Sequence, residues 1–161
     1  MSVFLVTDIS RKLKGTTKIA NRDVGKVEGI LKDMVSLDKL AMPTNYPELE
    51  KYFKVSATHP QESEALLTPT FVRRLLRFSR KINLRYSPNA PMLFRLYLKQ
   101  QKLYISFMFN GGDGRLFHIP KLTEQVDYKN MLKISYIRLK IVTETIKDLH
   151  LTDMEWENKQ N

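Results

Sequence analysis

The apolar residues between positions 68 and 82 recur at the spacing of an α-helix. At about 100° per residue they form one broad face, made of Phe71, Val72, Leu75, Leu76, Phe78 and Ile82. Thr68 can cap the first free amide groups, and Pro69 suits the first helical position because no amide donor is needed there. The pattern predicts a helix with one side buried in a core, and we expect the rest of the chain to be organised around it.

Shorter runs on both sides of this helix are rich in β-branched and aromatic residues, which is typical of strands. Strands are predicted at residues 3–9, 16–20, 37–42, 53–57, 82–86, 93–98 and 103–109, with 99–102 as a hairpin connection. Helical spacing also predicts helices at residues 23–35, 47–52, 61–67 and 124–149. These elements predict an α+β fold, in which a mostly antiparallel sheet carries the central amphipathic helix and the long C-terminal helix on one face.

The long C-terminal helix has two apolar stripes. Its main stripe consists of Tyr128, Met131, Leu132, Leu139, Val142, Ile146 and Leu149, and we expect it to face the core. A second stripe of Ile134, Ile137 and Ile141 lies to one side. This second stripe is either covered within the domain or, since exposed apolar patches mark contact surfaces, it binds a partner or a second copy of the chain. The face opposite the main stripe carries Lys129, Lys133, Lys140 and Lys147.

The composition fits one globular domain, which we place at residues 1–152, followed by a polar tail at 153–161. The absence of cysteine excludes disulfides, thiolate zinc sites and cysteine nucleophiles. No run approaches the roughly 20 apolar residues that span a bilayer, so the chain as given is predicted to be soluble. The 27 basic and 17 acidic residues give a net charge of +10, which favours anionic partners.

Part of this positive charge is concentrated on the central helix. Its side opposite the apolar face carries Arg73, Arg74, Arg77, Arg80 and Lys81. Guanidinium groups at helical spacing can hold phosphates through paired hydrogen bonds. The alternative is a solvated face that is partly paired with acids such as Glu62 and Glu64. An anion-binding face would suit an anionic phospholipid surface, an acidic protein or nucleic acid.

Other candidate chemistry is weaker. A sheet-face platform for stacking bases is conceivable from Tyr97, Tyr104, Phe107 and Phe109, although strand alternation divides these aromatic residues between two faces. The glycine-rich residues 110–114 resemble a turn more than a phosphate loop, because an extended segment is predicted after them. His59, His118 and His150 lack metal-ligand spacing. We therefore predict no catalytic residues, no metal and no cofactor.

The chain also carries an ordered series of short motifs. They are Phe-Leu-Val-Thr-Asp (4–8), Lys-Gly-Thr-Thr (14–17), Glu-Lys-Tyr-Phe-Lys-Val (50–55), Glu-Ala-Leu-Leu-Thr-Pro (64–69), Lys-Leu-Tyr-Ile-Ser-Phe (102–107), Leu-Phe (116–117) and Ile-Lys-Asp-Leu-His-Leu (146–151). In this order they resemble the bacterial domain of unknown function 3137 family. The resemblance implies a soluble region tethered by preceding transmembrane helices on the cytoplasmic side of the membrane, with a LemA-type protein as a candidate partner. It implies no catalytic residues.

These observations lead to one functional expectation and one alternative. We expect a non-enzymatic, membrane-associated interaction domain or scaffold, whose basic helix faces anionic lipid or an acidic partner. The alternative is a nucleic-acid-binding domain, which would need exposed aromatic residues beside the basic face.

Overall fold

Five strands of the computed structural model form one antiparallel sheet, which confirms the predicted α+β class. The structure describes residues 2–9, 12–22, 40–86, 93–108 and 127–149. In chain order these hold β1 (Ser2–Asp8), β2 (Thr16–Asn21), α1 (Pro47–Tyr52), β3 (Phe53–Ala57), α2 (Pro60–Leu66), α3 (Pro69–Tyr86), β4 (Leu93–Lys99), β5 (Lys102–Met108) and α4 (Tyr128–Asp148). The strand order across the sheet is β1-β5-β4-β2-β3.

Alternation along the strands gives the sheet two different faces. On one face, Leu96 of β4 lies between Ile19 of β2 and Ile105 of β5, and all three side chains are buried. The same core takes in Leu75 of α3 and Ile141 of α4. The sheet and these two helices therefore share one hydrophobic core.

Helix α3 is fixed at its start and at its middle. The amide group of Phe71 donates a hydrogen bond of 3.2 Å to Oγ1 of Thr68, which confirms the predicted N-cap. Further along, the ring of Phe78 lies 5.5 Å from Phe94 of β4 and 6.5 Å from Phe107 of β5, measured between centroids and in edge-on geometry. Aromatic pairs in this geometry contribute about 0.5–1.5 kcal/mol beyond the area they bury.

The predicted strand at residues 82–86 is wrong, because α3 continues to Tyr86. The sequence there alternates apolar and polar residues, as a strand would. However, Ile82 also follows Phe78 by four positions and Leu75 by seven, so a continued helix places it on the buried side. Ile82 is 1% exposed, and this burial favours the helix over the local strand pattern.

Most other predicted elements agree with the structure where it describes them. The hairpin connection is a two-residue turn in which Gln100 adopts a positive φ of 56°. This turn is held from outside, because the amide groups of Ile9 and Leu13 donate to the carbonyl groups of Gln101 and Gln100 at 2.8 Å. Of the predicted strand 37–42, the structure describes only residues 40–42, where Ala41 forms a bridge with Ser56.

Some predictions fall elsewhere in the chain. The predicted helix at 23–35, the glycine-rich residues 110–114, the polar tail at 153–161, and Phe109, His118 and His150 lie outside the described residues. Within the described residues, no helix combines the length and the apolar character needed to cross a bilayer.

Candidate functional site

The outer side of α3 presents a row of arginines. Arg73, Arg77 and Arg80 follow one another by four and three positions, so they lie along one line of the helix surface, and all three are exposed. We call these three residues the arginine row. Arg74, at the edge of the predicted basic face, is half-buried. The strong amphipathicity of α3 thus produces the row directly, since packing Leu75 inward turns these guanidinium groups outward.

Lys81 has a different role from the arginine row. Its Nζ atom lies 2.7 Å from Oδ2 of Asp148 and 3.6 Å from Oε2 of Glu144, both on α4. The hydrogen bond to Asp148 is the main reason that the pKa of Lys81 is raised above its ordinary value of 10.5. Lys81 therefore ties α3 to α4, which corrects the prediction that it belongs to an anion-binding face.

The acids predicted to neutralise the row are engaged elsewhere. The carboxylate of Glu62 accepts hydrogen bonds from the amide groups of Lys14 and Gly15 at 3.0 and 2.9 Å. Glu64 accepts a hydrogen bond from the side chain of Asn45. Across the parts of the chain that the structure describes, no carboxylate forms an ion pair with the arginine row. The row therefore presents its positive charge to solvent.

The arginine row ends beside an apolar surface. Leu84 follows Arg80 by four positions, which continues the line of the row, and it is 81% exposed. A pocket of about 280 Å³ opens beside Arg80, and its walls include Tyr52, Leu76, Ser79, Arg80, Asn83 and Leu84. The ring of Tyr52 is also exposed, and Nζ of Lys51 lies 5.5 Å from its centroid. Cationic and apolar groups thus adjoin each other at this end of α3.

The structure places the two apolar stripes of α4 only partly as predicted. Ile141 is 1% exposed and belongs to the core, Ile137 packs against the core, and Ile134 is half-buried. Of the two alternatives for this stripe, the placement of Ile137 and Ile141 agrees with coverage within the domain. Three residues of the predicted core stripe are exposed, and with Tyr136 they form a surface that we call the outer stripe: Tyr128, Leu132, Tyr136 and Leu139. Two further residues of the predicted stripe are placed as expected, since Leu149 is buried in the core and Ile146 packs against it.

Among the described residues of the sheet, the aromatic side chains do not form the exposed platform that base stacking requires. Tyr97 is 2% exposed, and Nζ of Lys18 lies 5.9 Å from the centroid of its ring. Phe107 lies on the opposite face, where it is fully buried in the core, and Tyr104 is half-buried. The alternation that separated these residues in the sequence is confirmed. The face that carries Tyr97 also buries Arg95 and Ser106.

Within the described ranges, the side chains give little support for a metal site or a catalytic site. They contain no group of three His, Asp or Glu residues that could hold a metal ion. His59 is exposed, with Nδ1 lying 3.2 Å from Oγ1 of Thr58. Asp8 pairs with Lys102 at 3.0 Å, and this hydrogen bond raises the pKa of Lys102. These groups fix local structure and do not converge on a common cleft.

A match to a known protein family covers nearly the whole chain. The model of DUF3137, a protein family of unknown function, matches residues 2–151. The chain belongs to this family. The resemblance drawn from the ordered motifs is therefore confirmed. No curated protein and no solved structure matches the chain.

Two exposed apolar features were not predicted from the sequence: the pocket with Leu84 on α3, and the outer stripe on α4. The pocket and Leu84 would have been found by extending the helical projection of α3 to Tyr86, which places Leu84 on the line of the arginine row. The outer stripe needed more than a projection, because α4 has apolar residues on several sides. Only its contact with α3 and the sheet decides which of these sides is buried.

Proposed function

We propose that this domain binds an anionic phospholipid surface through the arginine row. The observation that carries the proposal is three exposed guanidinium groups on one line of α3, with no described carboxylate paired to them. Each basic side chain close to an anionic leaflet contributes about 1 kcal/mol of attraction. The net charge of +10 adds a long-range attraction of the same sign.

The apolar groups beside the row support lipid over a purely ionic ligand. Leu84 is exposed at the end of the row, and Tyr52 lies across the adjoining pocket. A bilayer interface offers phosphate groups to arginine and the beginning of the acyl region to leucine, and tyrosine is favoured at that depth. The transmembrane tether that the resemblance implies would agree with this proposal, because a tether would hold the domain close to a leaflet.

Nucleic acid is the second candidate, since phosphates of any source attract arginine. Its support is weaker because Tyr97 and Phe107, two of the candidates for stacking on bases, are buried. Fluorescence anisotropy with a labelled single-stranded oligonucleotide would detect it. Submicromolar binding that falls steeply with salt, together with no preference for anionic vesicles, would favour nucleic acid over lipid.

Vesicle co-sedimentation tests the proposal. The protein is mixed at low salt with vesicles of phosphatidylcholine alone or of equal parts phosphatidylcholine and phosphatidylglycerol. We expect recovery only with the anionic vesicles. Replacing Arg73→Glu together with Arg77→Glu should lower the partition coefficient by at least about 30-fold, which corresponds to about 2 kcal/mol of binding free energy. The reason is that two attractive charges become repulsive.

A matched control separates the row from net charge. The double variant Lys12→Glu and Lys99→Glu changes the total charge by the same amount at exposed positions outside α3. If the arginine row makes the contact, this control should bind several times more tightly than the α3 variant. Equal weakening of both variants, or equal recovery of the unmodified protein with neutral and anionic vesicles, contradicts the proposal.

A further inference from the structure

The outer stripe of α4 is a large apolar surface for a helix of a small domain. Tyr128, Leu132, Tyr136 and Leu139 are 67%, 66%, 62% and 45% exposed. They follow one another by four, four and three positions, so they lie side by side on the helix surface. Exposed contiguous apolar patches of this kind usually mark a binding surface.

The first half of the outer stripe, Tyr128 and Leu132, lies on a part of α4 that buries no residue. None of residues 127–134 is buried, and the buried side of the helix begins at Ser135. Asp127 accepts a hydrogen bond of 3.0 Å from the amide group of Asn130, so the exposed end of α4 has a side-chain N-cap. A capped helix end with apolar side chains and no buried position is suited to contact with something outside the domain.

The charge beside the stripe selects the kind of partner. Lys129, Lys133 and Lys147 are exposed, and Nζ of Lys140 lies 5.6 Å from the centroid of the Tyr136 ring. The two acids further round the helix, Glu144 and Asp148, already pair with Lys81. The exposed flank of the stripe is therefore positive. Self-association through this surface would bring like charges together, whereas an anionic surface would be attracted.

We propose that α4 lies in the headgroup region of an anionic bilayer, with the outer stripe inserted and the flanking lysines directed at lipid phosphates. Leucine and tyrosine beside a lysine flank are the composition of helices that lie in the plane of a membrane interface. Lysine suits the flank because its apolar stem can follow the stripe while its ammonium group reaches the phosphates. This inference rests on the proposed function, and it adds a second, apolar contact to the ionic contact of α3.

A fluorescent probe at a single cysteine tests the insertion. The natural chain has no cysteine, so Leu132→Cys can be labelled with a nitrobenzoxadiazole dye at one position. We expect a blue shift and an intensity gain of about twofold or more on adding vesicles of equal parts phosphatidylcholine and phosphatidylglycerol, because the dye enters the interface. The same dye at Gln61→Cys, an exposed position on α2, should change little.

A pair of charge variants gives a second readout. Leu132→Asp and Asn130→Asp each add one negative charge at an exposed position, but they lie on different sides of α4. We expect Leu132→Asp to weaken vesicle partitioning about tenfold more than Asn130→Asp, since only Leu132 would carry a charge into the interface. Circular dichroism of both variants confirms that the fold is retained.

The outcomes separate this inference from the proposed function. Vesicle binding that needs the arginine row but leaves the dye at position 132 unchanged overturns the insertion of α4 and leaves the proposed function standing. Absence of binding to anionic vesicles by every variant overturns both. A dye response that grows with protein concentration in the absence of vesicles assigns the stripe to a second copy of the chain and overturns the inference.

Discussion

Helices α3 and α4 contribute to the same core, yet they divide their residues between core and solvent in opposite ways. Helix α3 buries its large apolar residues up to Ile82 and exposes arginines. The buried positions of α4 include Ser135, Arg138 and Thr145, while four large apolar residues are exposed. In α3 the apolar face predicted from the sequence is the side that packs into the core. In α4 the packing partner decides, and the apolar residues that remain outside become available for binding.

The largest expected difference between the helices is in core packing. Leu75→Ala, at a fully buried position of α3, should lower the free energy of unfolding by about 3 kcal/mol through lost burial and a cavity. Leu132→Ala, on the outer stripe of α4, should change it by no more than about 0.5 kcal/mol. Urea denaturation of both variants measures the contrast. A loss of several kcal/mol for Leu132→Ala would mean that the outer stripe is structural.

Removing the N-cap side chains of α3 and α4 should give a smaller difference in global stability between the two helices. Thr68→Ala removes the acceptor for the amide group of Phe71, a buried residue of α3, and should cost about 1 kcal/mol of global stability. Asp127→Ala removes the corresponding cap of α4, where the first turns bury no residue. We expect this variant to change global stability by less than about 0.5 kcal/mol while speeding hydrogen exchange in the first turn of α4.

Equal global losses for the two cap variants would contradict this contrast. They would show that the exposed end of α4 unfolds together with the rest of the domain.

The smallest expected effect is that of the ion pair between Lys81 of α3 and Asp148 of α4. A double-mutant cycle of Lys81→Met and Asp148→Asn should give a coupling free energy of about 0.5 kcal/mol, because the pair is partly exposed and screened by solvent. Since the pKa of Lys81 is raised in the folded state, the coupling should be complete from neutral pH up to about 10.5 and disappear as the pH rises through the raised value. A coupling that persists in full when Lys81 is deprotonated would rule out the ion pair as its source.

The success of the sequence-based predictions follows the range of the interactions involved. Residues 47–52 and 53–57 were predicted with their observed bounds, because a proline at the helix start and a β-rich run are local signals. The N-cap at Thr68 and the turn at Gln100 are local in the same sense. The arginine row followed from the period of a single helix.

The errors arose where a distant partner decides. The end of α3 was misplaced because the strand-like alternation after Ile82 was weighed without the core that Ile82 enters. Three residues of α4, Tyr128, Leu132 and Leu139, were wrongly predicted to face the core, because several sides of this helix are apolar and contact with α3 selects one of them. The strand order, in which β1 lies beside β5, was not predicted, since no local signal specifies which strands become neighbours.

The pairing of β1 with β5 affects how the domain folds during its synthesis. Leu5 lies opposite Ile105, so closing this pair means closing a loop of about one hundred residues, which is slow and costs entropy. At a synthesis rate of about 5–20 residues per second, β1 leaves the ribosome roughly 5–20 seconds before its partner strand exists. β1 is therefore translated well before β5 but is hydrogen-bonded only once β5 exists, and until then it stays open to pairing with other molecules.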